Sequence, residues 1–253
     1  MLLGITPHEK RQNSRIAQKS VSVAGAFALF TLFLPIIVLA IYHAMGPEPS
    51  YGGIEAPVAR VETGSGTGSA FLVSANQMLT ARHVVKDMQT NDTVTVVFEQ
   101  AQTIITRQAT VTWKAPTQHS ITSQNTAPLE YFLSDAALLT LLQPVEEISP
   151  LVLGISSEVS NLQEVILIGY PNGDYSISEG NINSTRYQNQ ELFKLDATSN
   201  PGNSGGPCLD KNDNTVIGIL VGGPSSPVVD GENLAIKIDD VLNLLNQAGL
   251  VIN

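Results

Sequence analysis

Pro201-Gly202-Asn203-Ser204-Gly205-Gly206-Pro207 is the stretch on which the reading of this chain turns. Small residues on both sides of one serine let the backbone turn tightly, presenting the hydroxyl and the neighbouring N–H groups together. That combination suits a nucleophile beside an oxyanion hole, with Gly202 and Ser204 as the backbone donors. A serine hydroxyl is a weak nucleophile at neutral pH, so it needs a base within hydrogen-bond reach and a third group to orient that base. Upstream lie Leu79-Thr80-Ala81-Arg82-His83-Val84-Val85 and Ser134-Asp135-Ala136-Ala137-Leu138-Leu139, which supply His83 as base and Asp135 as orienting carboxylate. The spacings, 52 residues from His83 to Asp135 and 69 from Asp135 to Ser204, leave room for the aspartate in one β-barrel and the serine in a second.

Each motif also has a plainer reading. Gly-Gly-Pro with Asn and Ser is ordinary turn chemistry. A lone histidine at the end of an apolar run that reads as a strand (Ala70 to Thr80) is usually a structural residue, and Asp135 is also consistent with a charge at a strand start. The competing bases are weaker: His8 and His43 belong to the N-terminal segment, and His119 sits in a polar stretch. Cys208 is the sole cysteine, which rules out an internal disulfide and leaves no metal-ligand spacing, so neither a metal nor a cofactor is expected. Gly64-Ser65-Gly66-Thr67-Gly68 lacks the Lys-Ser/Thr ending of a phosphate loop and reads as a flexible turn before a strand Ser69 to Val73.

Taken together, the order His, Asp, Ser and the strings Thr80-Ala81-Arg82-His83-Val84-Val85 and Gly202-Asn203-Ser204-Gly205-Gly206-Pro207 resemble the trypsin-like (chymotrypsin-fold) serine peptidases, in the HtrA/Deg-like branch. The resemblance covers roughly residues 56 to 245. It implies two six-stranded Greek-key β-barrels followed by a helix, and a triad of His83, Asp135 and Ser204. It also implies a primary specificity pocket with Thr198 at its floor and Val221, Gly222 and Gly223 along its wall. In similar enzymes the strand Val216 to Gly223 pairs with extended substrate through main-chain hydrogen bonds. Two departures stand out. The family's HtrA members append a PDZ domain that this chain is not expected to carry. Asn203 also replaces the aspartate that digestive members pair with a freed N-terminal amine, so activation by clipping is not expected.

The apolar runs agree with an all-β body. Thr93 to Phe98, Ala109 to Trp113, Ala137 to Leu142, Val165 to Tyr170, Leu192 to Leu195, Val216 to Val221 and Leu234 to Ile238 are short, rich in β-branched residues and separated by turn formers. Asp239-Asp240 followed by apolar residues at helical spacing and by Gly249 predicts one C-terminal helix.

Ser20 to Tyr42 is a run of 23 residues without a charge. About 20 apolar residues span a bilayer, whereas the apolar core of a secretory signal is about 7 to 15 residues. An uncleaved anchor over 20–45 is therefore expected. Lys10, Arg11, Arg15 and Lys19 precede it and Glu48 and Glu55 follow, which places residues 1–19 in the cytoplasm and the rest outside. Residues 46–57 read as a linker and 58–253 as the peptidase domain. With bacterial origin taken from the resemblance, the expected address is the inner membrane, single-pass, with the domain periplasmic or extracellular. The net charge is −10, and residues 1–19 contribute +3, leaving −13 elsewhere. Such a domain repels nucleic acid, and the expected partner is an extended polypeptide substrate. The expected activity is that of a serine endopeptidase. The rival reading is a catalytically silent module of the same fold that binds extended peptides or a partner.

Overall fold

The computed structural model describes residues 53–100, 103–117, 129–222 and 232–252. Twelve strands dominate them. β1 (Val58–Thr63), β2 (Gly66–Leu72), β3 (Gln77–Thr80), β4 (Thr93–Phe98), β5 (Ile105–Lys114) and β6 (Ala137–Leu141) close into one antiparallel barrel in the order β1-β2-β3-β6-β5-β4. A second barrel is built from β7 (Glu164–Gly169), β8 (Ser176–Ser184), β9 (Leu192–Leu195), β10 (Pro207–Asp210), β11 (Val216–Gly222) and β12 (Asn233–Lys237). It closes as β10-β11-β12-β9-β8-β7, the same cyclic permutation. Closure pairs every strand with two neighbours and leaves only short unpaired ends.

Inward alternation fills each barrel with apolar side chains. Val61, Leu72, Met78, Val96, Phe98, Val111 and Leu139 pack the first; Val165, Leu167, Ile182, Phe193, Leu195 and Leu220 pack the second. Each buried side chain of this size contributes about 1.5–3 kcal/mol relative to exposure. The segment joining the barrels is pinned to both: Leu151 N–H donates to Leu72 O at 3.0 Å, and Gly154 N–H to Val216 O at 2.9 Å.

The C-terminal helix Ile238–Gln247 buries Ile238, Val241 and Leu245, one stripe at spacings of three and four. Asp239 and Asp240 occupy its first turn, where the exposed N–H groups favour negative charge, and Asp239 also accepts from Ser157 N–H at 2.9 Å. The helix ends where Gly249 takes φ +73°.

Two sequence expectations change. The run Ala70 to Thr80 is two strands rather than one, because Ser74-Ala75-Asn76 turns the chain back between β2 and β3. Gly66-Thr67-Gly68 is not part of the turn but opens β2, paired with Thr63, Glu62 and Val61. The expected anchor, 20–45, lies outside the described residues, and among those described no helix is long and apolar enough to cross a membrane.

Candidate active site

His83 follows β3 in a single 3-10 turn, Arg82–Val85, which the buried Val85 anchors to the first barrel. Asp135 lies two residues before β6, after the short helix Leu129–Phe132. Barrel closure puts β3 beside β6, so the two residues meet although they are 52 positions apart. Both carboxylate oxygens of Asp135 serve His83: Oδ1 accepts the main-chain N–H at 2.8 Å, and Oδ2 lies 2.6 Å from Nδ1. Asp135 is 0% exposed, whereas the His83 side chain is 25% exposed. The imidazole is thus oriented through Nδ1 by a buried acceptor, and Nε2 has no hydrogen-bond partner among the described residues. Arg82 lies over the Tyr131 ring at 5.8 Å. Burial, with the Asp135 charge adding and Arg82 opposing, pushes the Tyr131 hydroxyl up to about 12, so that phenol stays neutral beside the carboxylate.

Ser204 stands on the loop that enters β10. Two glycines shape this loop. At Gly202, φ is +109° and a Cβ would meet Tyr170 O at 2.3 Å; at Gly205, φ is +86° and a Cβ would meet Ser69 O at 2.2 Å. No larger residue fits either position. Asn203 N–H donates to Asn200 O at 3.0 Å, Gly205 N–H to Leu220 O at 2.7 Å and Gly206 N–H to Asn203 O at 3.0 Å. The N–H groups of Gly202 and Ser204, the expected oxyanion donors, have no acceptor among the described residues. No hydrogen bond joins Ser204 to His83 among those residues either, and catalytic hydrogen bonds are often long before substrate binds.

The expected pocket residues are placed unevenly. Thr198 lies on the loop between β9 and β10 with an exposed side chain, and its carbonyl accepts Ser178 O–H at 2.7 Å. Val221 is buried and Gly222 has open space around its Cα at φ +116°. Gly223 lies outside the described residues. The strand expected to receive substrate is narrower than Val216 to Gly223. β11 is already paired with β10 through Ile219 and with β12 through Gly222, so only Val221 and Gly222 keep a free side. Cys208 is fully buried, and desolvation pushes its thiol up to about 12, which makes it a core residue and no nucleophile.

Ser69 approaches the serine loop closely, yet it was not legible as a site residue. The available signal was a serine opening the apolar run Ser69-Ala70-Phe71-Leu72-Val73.

Residues 68–219, from β2 to β11, match the trypsin-like peptidase domain family. The chain belongs to that family. Protease Do-like 1, chloroplastic, of Arabidopsis thaliana is 33% identical over 125 residues, covering 45% of this chain and 28% of that protein. A Staphylococcus epidermidis serine protease HtrA-like is 30% identical over 130 residues, 45% of this chain and 22% of its own length. The matched region is thus about a quarter of these relatives. Among solved structures, the inactive form of the Rv3671c protease from M. tuberculosis H37Rv superposes with TM-score 0.59 at 20% identity, covering 81% of this chain and 98% of that one. At that identity the likeness establishes the fold, and this trypsin-like peptidase domain carries its candidate residues on the same architecture.

Proposed function

We propose that the protein is a membrane-anchored, extracytoplasmic serine endopeptidase. The observation that carries the reading is the two-point grip of buried Asp135 on His83, across the barrel interface from a glycine-shaped serine loop with two unengaged N–H groups. Ser204 Oγ attacks the scissile carbonyl carbon while His83 Nε2 takes its proton, and the carbonyl oxygen becomes an oxyanion held by Gly202 and Ser204 N–H. Collapse of this adduct breaks the C–N bond, and His83 returns the proton to the departing amine. Water then repeats the cycle on the acyl-enzyme, with Asp135 ionised throughout. Each oxyanion donor of this kind is worth about 10²- to 10³-fold in turnover.

Val221 and Gly222 supply the free strand edge for an extended peptide. Thr198, Val221, Gly222 and Gly223 include no acid, so a lysine or arginine side chain buried there would stay unpaired at high cost. Cleavage is expected after Val, Ala, Ile or Leu, graded rather than strict, because one methylene changes discrimination by about 1–3 kcal/mol. Peptide-library profiling reads this directly, and dominant cleavage after charged residues would refute the pocket assignment.

Residues 1–19 are proposed as cytoplasmic, 20–45 as the anchor, 46–57 as the linker and 58–253 as the peptidase domain in the periplasm or exterior of a bacterium. A reporter active only outside the cytoplasm, fused after Arg60, is expected to work, and the full chain to resist carbonate extraction. A soluble product beginning near residue 45 would show a cleaved signal instead.

The missing hydrogen bond between Ser204 and His83 is the one feature that favours the second reading, a silent peptide-binding module. Covalent labelling of Ser204 separates the two.

A further inference from the structure

Ser69 is 0% exposed, and every polar atom it has is engaged. Its hydroxyl donates to Gly202 O at 2.7 Å and accepts from Tyr170 N–H at 2.9 Å. Its main-chain N–H donates to Ser204 O at 2.9 Å, and its carbonyl accepts Thr80 O–H at 2.7 Å. One residue of the first barrel therefore grips the carbonyls of both Gly202 and Ser204 in the second. These are the two residues whose N–H groups have no acceptor among the described residues and are the proposed oxyanion donors.

We infer that Ser69 is a positioning residue for the oxyanion-binding loop: its hydroxyl, held on a strand of one barrel, fixes the Gly202–Asn203 peptide plane, which lies between the two donors in the other. The inference rests on the function proposed above. Glycine visits more backbone conformations than any other residue, so the peptide planes at Gly202 are set by their partners: Asn172 N–H donates to Pro201 O at 2.8 Å, Asn203 N–H to Asn200 O at 3.0 Å, and Ser69 adds the grip on Gly202 O. Ser69 is suited to that role. β2 is paired on both sides, with Arg60 opposite Ser69 on β1 and Thr80 opposite Ala70 on β3, so the hydroxyl sits on a rigid base. The space it occupies is kept clear by Gly169, where a Cβ would meet Ser69 Oγ at 2.8 Å and Asn203 Oδ1 at 2.7 Å. The Tyr170 N–H fixes the rotation of the hydroxyl. With its lone pair occupied by that donor, the Ser69 proton points to Gly202 O.

Ser69→Ala removes the grip on Gly202 and leaves the Ser69 main-chain contact with Ser204 in place. In the full chain, kcat is expected to fall about 10- to 100-fold, less than or equal to the loss of one oxyanion donor, while KM stays within about threefold because ground-state binding does not use the loop. Amide hydrogen exchange of residues 202–206 is expected to accelerate at least about tenfold, with the barrel strands unchanged. Tyr170→Phe, which deletes the Tyr170 O–H bond to Val58 O in the same neighbourhood, is the structural control and is expected to keep kcat. If Ser69→Ala does not fold, Ser69→Cys retains a weaker donor and reads the same split. Unchanged exchange in 202–206 would overturn the inference, as would an equal loss of kcat in Tyr170→Phe. An inert wild-type protein would refute the peptidase reading alone, since the exchange comparison still decides whether Ser69 holds the loop.

Discussion

Ser204→Ala and His83→Ala are each expected to abolish peptide hydrolysis, with losses of about 10⁶-fold in kcat that do not multiply in the double variant, because nucleophile and base act as one unit. The two differ in stability. Ser204 donates no side-chain hydrogen bond among the described residues, so its truncation should leave the melting temperature nearly unchanged. His83→Ala strips Asp135 Oδ2 of its partner inside a fully buried site while Oδ1 keeps the main-chain N–H, which is expected to cost about 1–3 kcal/mol without unfolding the domain. Parallel assays of a peptide substrate and of thermal unfolding check both statements. Wild-type turnover by Ser204→Ala would remove the serine from the mechanism.

Asp135→Asn is expected to lower kcat about 10⁴-fold, the loss seen for the equivalent substitution in chymotrypsin-type enzymes, with KM nearly constant. The local geometry says why. The His83 main-chain N–H, 2.8 Å from Oδ1, obliges an asparagine to turn its amide oxygen that way, so its NH₂ faces Nδ1. Nδ1 must then accept, which places the ring proton on Nε2 and leaves no lone pair there to take the proton of Ser204. A loss of less than about tenfold would mean that His83 is oriented by something other than this carboxylate.

How much of this was legible from the sequence differs between fold and site. Strands whose inward faces are apolar were readable: Thr93–Phe98 and Leu192–Leu195 have the bounds that their composition suggests. β8, Ser176–Ser184, was not, because only Ile182 is buried and its place comes from pairing along the whole of β7. Glycines inside a strand also misled, since Gly66 and Gly68 lie in β2 where turn chemistry was the simpler reading. The triad candidates were legible because each needs a particular residue type within a local string. Ser69 was not, as its role depends on contacts with residues 101 and 133 positions away that only barrel docking creates.

Whether Ser204 is an activated nucleophile is decided by reacting the full chain with a fluorophosphonate probe and locating the adduct by mass spectrometry. Phosphonylation needs a serine whose proton has somewhere to go, so folding alone does not produce it. One adduct is expected, on Ser204, lost in both Ser204→Ala and His83→Ala. No adduct on the folded wild-type protein, or one that persists in Ser204→Ala, would contradict that role for Ser204.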